Sequence, residues 1–230
     1  MSSSLPVTSR RVSGLERAWL VADRLRPPFV NQLVLEGEGQ LLRVDVQRAV
    51  DVVAAVMPGL ALHTRGWLQG ARWVPGGAPP VLRVEDGSLW AGRGPEHAPF
   101  LERRLDTRGG PIVEVVLLEG SPDGLTRLVV RTHHAALDGR GAQLFVEALF
   151  AALRGQTPDL VGFGPDTDAD LAALAGVPAR PDPPADRGSP TGHSTSSDFE
   201  VTWLRRRVEG RFRGLLPQAI VALWAAAQPF

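Results

Sequence analysis

The sequence has no cysteine among its 230 residues, which excludes disulfide bonds and thiolate metal sites. Its 25 basic and 25 acidic residues balance, so no long-range field attracts nucleic acid or an anionic membrane. No run of about 18 apolar residues is present, the length that a transmembrane helix needs. The polar residues 1–11 do not resemble a signal peptide. We therefore expect a cytoplasmic protein whose partners include neither a membrane nor a nucleic acid.

Motifs of several common enzyme classes are missing as well. The glycine pairs at 76–77 and 109–110 lack both a following Lys-Ser/Thr and GxGxxG spacing, so no nucleotide-binding loop is predicted. The GxSxG pattern of a serine nucleophile elbow does not occur. What is present is a chain that is 43% hydrophobic, which is enough to bury a sizeable core.

The spacing of apolar residues predicts helices and strands over the first half of the chain. Ser13 is a typical N-cap for a helix that Pro27 and Pro28 would end. Apolar residues at helical spacing predict a second helix over 44–57. Strands are predicted over 29–36, 60–68, 72–74 and 81–84, and residues 89–99 read as irregular.

The clearest pattern lies between residues 111 and 155. Two β-rich runs, 111–119 and 125–132, flank a Ser-Pro-Asp-Gly turn and predict an antiparallel hairpin. A helix with apolar residues at i, i+3 and i+4 follows over 142–153, and Gly155 provides its C-terminal cap. Between them stands HHAALDG, at 133–139. The two histidines are thus predicted where a buried strand ends and a loop leads into a helix, a position that often carries functional groups.

Residues 133–139 match the HHxxxDG pattern, and the chain resembles the acyltransferases that carry it, chloramphenicol acetyltransferases and peptide-synthetase condensation domains. Residues 12–20, 44–65 and 100–114 resemble upstream segments of the same group. The resemblance covers about residues 11–154, the N-terminal half, and more weakly 199–227. It implies an α/β (α+β) fold in which helices cover a mixed, largely antiparallel sheet.

The resemblance also implies an activity and its base. His134, the second histidine of the motif, would accept a proton from a hydroxyl or amine as that group attacks a thioester carbonyl. The thioester would be an acyl-CoA or an acyl-phosphopantetheine carrier protein acting as co-substrate, and no cofactor would be bound. His133 would pack inward and hold the loop that carries the base.

Two further motif residues have structural roles in the resembling proteins. Asp138 would pair with an arginine and shape the loop; we expect Arg65 as the partner, with Arg131 as the competitor. Gly139 would provide a tight turn into the helix and leave room for a pantetheine arm.

Other interpretations of the two histidines stay open. An adjacent histidine pair is more often a packing feature than a catalyst, so the chain could be a non-catalytic scaffold or partner subunit. The same base acting on water would make a thioester hydrolase. A metal site is not expected, because adjacent side chains on an extended backbone point to opposite faces.

The chain is expected to comprise three regions. These are a condensation-like subdomain at 1–160, a flexible linker rich in Pro, Gly and Ser at 161–197, and a strand and helix at 198–230 that resemble the start of a C-terminal subdomain. The tunnel of condensation domains runs between two halves. The chain would therefore be a fragment of a longer protein, or a second chain or another copy would complete the tunnel. The apolar helix predicted over 216–227 favours association.

Overall fold

The computed structural model describes residues 9–158. The linker predicted at 161–197 and the elements predicted at 198–230 lie outside the described residues. The elements in chain order are β1 (Arg10–Arg11), α1 (Gly14–Leu25), β2 (Val30–Gly37), α2 (Arg43–Val56), a 3₁₀ turn (Pro58–Ala61), β3 (Leu62–Arg65), a second 3₁₀ turn (Leu68–Gly70), β4 (Arg72–Pro75), β5 (Val81–Asp86), α3 (Pro99–Glu102), β6 (Val113–Glu119), β7 (Thr126–His133) and α4 (Gly139–Leu153).

The main sheet has four strands in the order β2-β7-β6-β5. β7 pairs antiparallel with both neighbours, whereas β5 runs parallel to β6. A smaller sheet has the order β1-β4-β3, and both of its pairings are antiparallel. The predicted fold class, a mixed and largely antiparallel sheet with helices, is confirmed.

Local signals in the sequence explain the start of α1, the hairpin of β6 and β7 and the end of α4. Ser13 caps α1 through a reciprocal capping box with Glu16. The hairpin of β6 and β7 forms around the predicted turn, with Val113 opposite Thr132. α4 ends just before Gly155, whose φ of +71° is the left-handed conformation that favours glycine at this position.

One face of the main sheet packs against α2 and α4 and forms the larger hydrophobic core. Because side chains alternate along a strand, Val115 of β6 and Val130 of β7 point to this face. Val53 of α2 and Phe145 of α4 contact them within a cluster of fully buried residues. This packing fixes α4, and with it the loop that precedes α4.

The opposite face of the sheet combines apolar residues with a buried ionic network. Glu114 of β6 is 1% exposed and accepts hydrogen bonds from Arg131 of β7, Arg103 and Arg83. Phe100 belongs to a second hydrophobic cluster, which includes Val116 of β6 and Val129 of β7 on this face. The network ties the segment before β6 to the middle of the sheet.

Among residues 9–158, no helix has the length and the apolar character that crossing a membrane would require.

We predict that Glu114→Gln destabilises the fold by about 3–5 kcal/mol, because it leaves the buried Arg131 guanidinium without its carboxylate. Burial alone would raise the pKa of Glu114, but the hydrogen bonds from Arg131 and Arg103 outweigh it and lower that pKa. The carboxylate therefore stabilises the fold above the pKa of about 4.3 that a glutamate has in the unfolded chain. That contribution is lost as the pH falls through the lower pKa of the folded state.

Urea unfolding at neutral and acidic pH measures this effect. Glu102→Gln is the matched control, because Glu102 is exposed and no ion pair of it is found within residues 9–158. The difference between Glu114→Gln and the unchanged chain should shrink as the pH falls below about 4. Equal unfolding curves for both variants at pH 7 would contradict the role of the network.

Candidate active site

The loop between β7 and α4 is held by its own backbone and by β2. The amides of Ala136 and Leu137 donate to the carbonyl of His133, at 2.9 and 3.1 Å. The amide of His134 donates to the carbonyl of Phe29 at 3.2 Å. The side chain of Asn31 donates to the carbonyl of Leu137 at 2.8 Å. Residues 134–138 therefore have a defined conformation that depends on the start of β2.

His133 is 1% exposed and lies inside the fold. Its Nδ1 accepts a hydrogen bond from the amide of Ala135 at 3.2 Å, so the neutral ring carries its proton on Nε2. That Nε2 lies 3.7 Å from Oδ2 of Asp23, which is too long for a direct hydrogen bond. Burial lowers the pKa of His133, and the nearby Asp23 carboxylate opposes this only in part. His133 is thus a neutral, buried ring at neutral pH.

His134 occupies a different environment from its neighbour. Its ring is half-buried and stacks on Trp19 of α1, with the ring centroids 4.3 Å apart and an interplanar angle of 24°. Phe29 flanks the same ring at 6.0 Å and stacks on Trp19 in turn. Nδ1 of His134 is buried without a hydrogen-bond partner within residues 9–158. Nε2 of His133 is likewise buried without a hydrogen-bond partner within these residues, so what distinguishes His134 is its partial exposure and its ring stacking.

Asp138 is the N-cap of α4. Its Oδ1 accepts a hydrogen bond from the amide of Gly141 at 2.7 Å, and the residue is exposed. Gly139 is the first residue of α4, and its φ lies outside the left-handed range. A Cβ at this position would contact nothing within 4 Å. The open space beside Gly139 remains compatible with a ligand passing the helix start.

The expected ion pair between Asp138 and an arginine is absent among residues 9–158. Arg131 points to the opposite face of the sheet and pairs with Glu114. Arg65 ends β3 in the smaller sheet, where it is exposed and lies opposite Arg72. The physical reason is that strand alternation and sheet membership direct both arginines away from the start of α4.

Two residues of α1 reach the motif although no sequence pattern singled them out. Trp19 covers the ring of His134, and Asp23 lies beside His133. Asp23 is 3% exposed; its carboxylate accepts hydrogen bonds from the amide of Phe29 and from Arg104, each at 2.9 Å. The available signal was an aspartate spaced four residues from a tryptophan on the same helix, since such residues share a face.

A cleft of about 370 Å³ lies on another part of α1. Asp23 forms part of its wall, so the cleft adjoins the carboxylate that lies beside His133. Four arginines line the cleft, together with an exposed tryptophan. Its lining includes Arg17, Arg24, Arg104, Arg108, Trp67 and Asp106.

No protein-family model and no curated protein sequence matches the chain. Solved structures of condensation domains do match its fold. A doubly substituted variant of the starter condensation domain of rhizomide synthetase RzmA, in a product-released conformation, is 22% identical with a TM-score of 0.53, over 66% of this chain and 37% of that one. A second variant of the same domain, in complex with C8-CoA and Leu-SNAC, is 21% identical with a TM-score of 0.53, over the same shares. The first condensation domain of the calcium-dependent antibiotic synthetase is 21% identical with a TM-score of 0.56, over 74% and 43%.

These comparisons confirm the predicted resemblance for the fold. The chain has a condensation-domain-like fold, and it spans 37–43% of the length of these three solved structures.

We predict that Asp138→Asn leaves the stability nearly unchanged, whereas Asp138→Ala lowers it by about 1 kcal/mol. Asparagine still accepts a hydrogen bond from the amide of Gly141 at the N-cap, and alanine does not. Urea unfolding of both variants measures the difference. Equal losses in the two variants would show that the charge of Asp138, rather than its capping oxygen, stabilises the loop.

Proposed function

We propose that the chain carries the base-bearing part of an acyltransferase site. The site would move an acyl group from a pantetheine thioester to a hydroxyl or an amine, with His134 as the general base. The observation that supports this most is the contrast between the two histidines. His133 is buried and its Nδ1 accepts a hydrogen bond within the loop, whereas His134 is half-buried, stacks on Trp19 and has no side-chain hydrogen bond within residues 9–158.

The proposed reaction requires one base and no covalent enzyme intermediate. His134 accepts the proton of the acceptor as the acceptor oxygen or nitrogen attacks the thioester carbonyl. The tetrahedral intermediate then expels the thiolate, which takes up the proton from the imidazolium. Histidine suits this role because imidazole gains and loses a proton near neutral pH. Holding both substrates beside one ring contributes much of the rate enhancement.

The surrounding residues have positioning roles in this proposal. Trp19 and Phe29 restrict the ring of His134 to one orientation. His133 and Asn31 fix the loop backbone, so the base stays in place when substrates enter. Asp138 starts α4 by capping it. The open space beside Gly139 would admit the pantetheine arm.

The proposal also includes the class of acyl donor and the origin of the second wall of the tunnel. Solved neighbours in this fold were obtained with C8-CoA and Leu-SNAC, which supports a thioester donor for this chain. The chain spans less than half of those domains, so the second wall of a tunnel would come from further residues of the protein, a second chain or another copy.

A non-catalytic scaffold is the second candidate. It is favoured by the absence, within residues 9–158, of the ion pair between Asp138 and an arginine that the motif leads one to expect. A scaffold would keep the fold and the loop without turning over a thioester.

Incubating the purified chain with an acyl-CoA and mixed acceptors, followed by mass spectrometry, tests the proposal. We expect acylated product from the unchanged chain and a loss of about 10²-fold or more in His134→Asn, because the general base is removed. His97→Asn is the matched control. His97 is an exposed histidine in a loop with φ of 59°, a conformation that asparagine tolerates.

Three results decide between the candidates. Product that depends on His134 but not on His97 supports the base assignment. Equal product from all three proteins removes it. No product from a chain that is folded and assembled, at any acceptor tested, favours the scaffold.

A further inference from the structure

The cleft beside α1 has a composition that the proposed chemistry at His134 does not use. Four arginines and two aspartates line it, so its lining carries a net positive charge. Asp23 is paired with Arg104, and Asp106 accepts a hydrogen bond from the backbone amide of Arg108. The side chains of Arg17, Arg24 and Arg108 make no ion pair within residues 9–158.

The cleft also presents flat surfaces suitable for stacking. Trp67 is 52% exposed, although large apolar side chains are usually covered. The guanidinium of Arg24 lies over its ring at 3.7 Å from the centroid, and that of Arg108 lies at 5.6 Å. Nucleic-acid bases stack on tryptophan rings and on guanidinium planes alike. The N–H groups at the edge of each guanidinium remain suited to phosphate oxygens.

We infer that this cleft binds the phosphate-bearing nucleotide end of coenzyme A, an inference that rests on the proposed acyl transfer from a pantetheine thioester. The 3′-phosphate and the diphosphate would meet the arginines, and the adenine would stack beside Trp67. The donor would then be free acyl-CoA, since a carrier-bound pantetheine has one phosphate and no base.

α1 connects the cleft to the candidate base. Arg17, Leu20 and Arg24 lie at i, i+3 and i+7 and line the cleft. Trp19 of the same helix stacks on His134. Asp23, which lines the cleft, follows Trp19 by four residues, a rise of only about 6 Å along the helix. The pantetheine arm extends from the diphosphate and is long enough to follow a helix over such a distance. The nucleotide would therefore be held beside the same short helix that orients the base.

Calorimetric titration of the full chain tests this inference without requiring catalysis. The ligands are CoA, dephospho-CoA and pantetheine, and the variant is Arg24→Gln combined with Arg108→Gln. Both arginines are exposed, so the fold should persist; the thermal unfolding midpoint checks this. Arg93→Gln is the control, because Arg93 is exposed and does not line the cleft.

We expect CoA to bind more tightly than dephospho-CoA, and pantetheine to bind most weakly. The affinity of the double variant for CoA should be lower by about tenfold or more, because each substitution removes a charged hydrogen bond to the ligand. The control should bind as the unchanged chain does. Affinity for CoA should also fall as the salt concentration is raised.

Equal affinity of the double variant and the unchanged chain for CoA, or no CoA binding at all, would overturn the inference. A parallel transfer assay with an acyl-N-acetylcysteamine, which lacks the nucleotide, separates this failure from that of the proposed function. One outcome is transfer from this small donor that depends on His134 and is equal in the unchanged chain and the double variant, while CoA binding does not depend on the arginines. That outcome would support His134 as the base and refute only the assignment of the cleft. Arginine-dependent CoA binding without any His134-dependent transfer would support the cleft and remove the base.

Discussion

The pairing of β2 with β7 is the constraint on which the candidate site depends. Val30 lies opposite His133, so the start of one strand meets the end of the other. This register brings the carbonyl of Phe29 to the amide of His134 and the side chain of Asn31 to the carbonyl of Leu137. A slip of one residue would turn His133 to the other face of the sheet and break both contacts. β6 and β7 are buried on both faces, and such a slip is resisted because it would turn the charged Arg131 into the apolar core against α2 and α4.

α1 gives the site its second constraint. The helix begins at its cap and ends before the two prolines that follow it in the chain, so it is short and lies beside the motif. On one side of the helix, Trp19 contacts His134 and Asp23 lies beside His133. Another side carries Arg17 and Arg24 into the cationic cleft. The surroundings of His134 and the lining of the cleft therefore both depend on how α1 is oriented about its own axis.

The buried ionic network explains why Arg131, the competitor to Arg65 as partner of Asp138, meets Glu114 instead. Arg131 lies only two residues before His133 and was a reasonable partner for Asp138 by position. It belongs instead to the face of β7 that meets Glu114, where a buried guanidinium without a carboxylate would be costly. Asp138 lies across the sheet at the start of α4 and satisfies a free amide there. The short distance in sequence between Arg131 and Asp138 did not indicate that their side chains would lie on opposite faces of the main sheet.

Local patterns in the sequence were enough to locate the capped first helix, the hairpin of β6 and β7, the helix after the motif and the placement of two histidines at a strand end. These features follow from interactions between residues close in the chain, such as the capping box at Ser13 and the glycine at 155. The stacking of Trp19 on His134, the approach of Asp23 to His133 and the arginine cleft join residues that are distant in the chain. Only the tertiary structure decided them, because they depend on the rotation of α1 and on the strand register, which no short stretch of sequence specifies by itself.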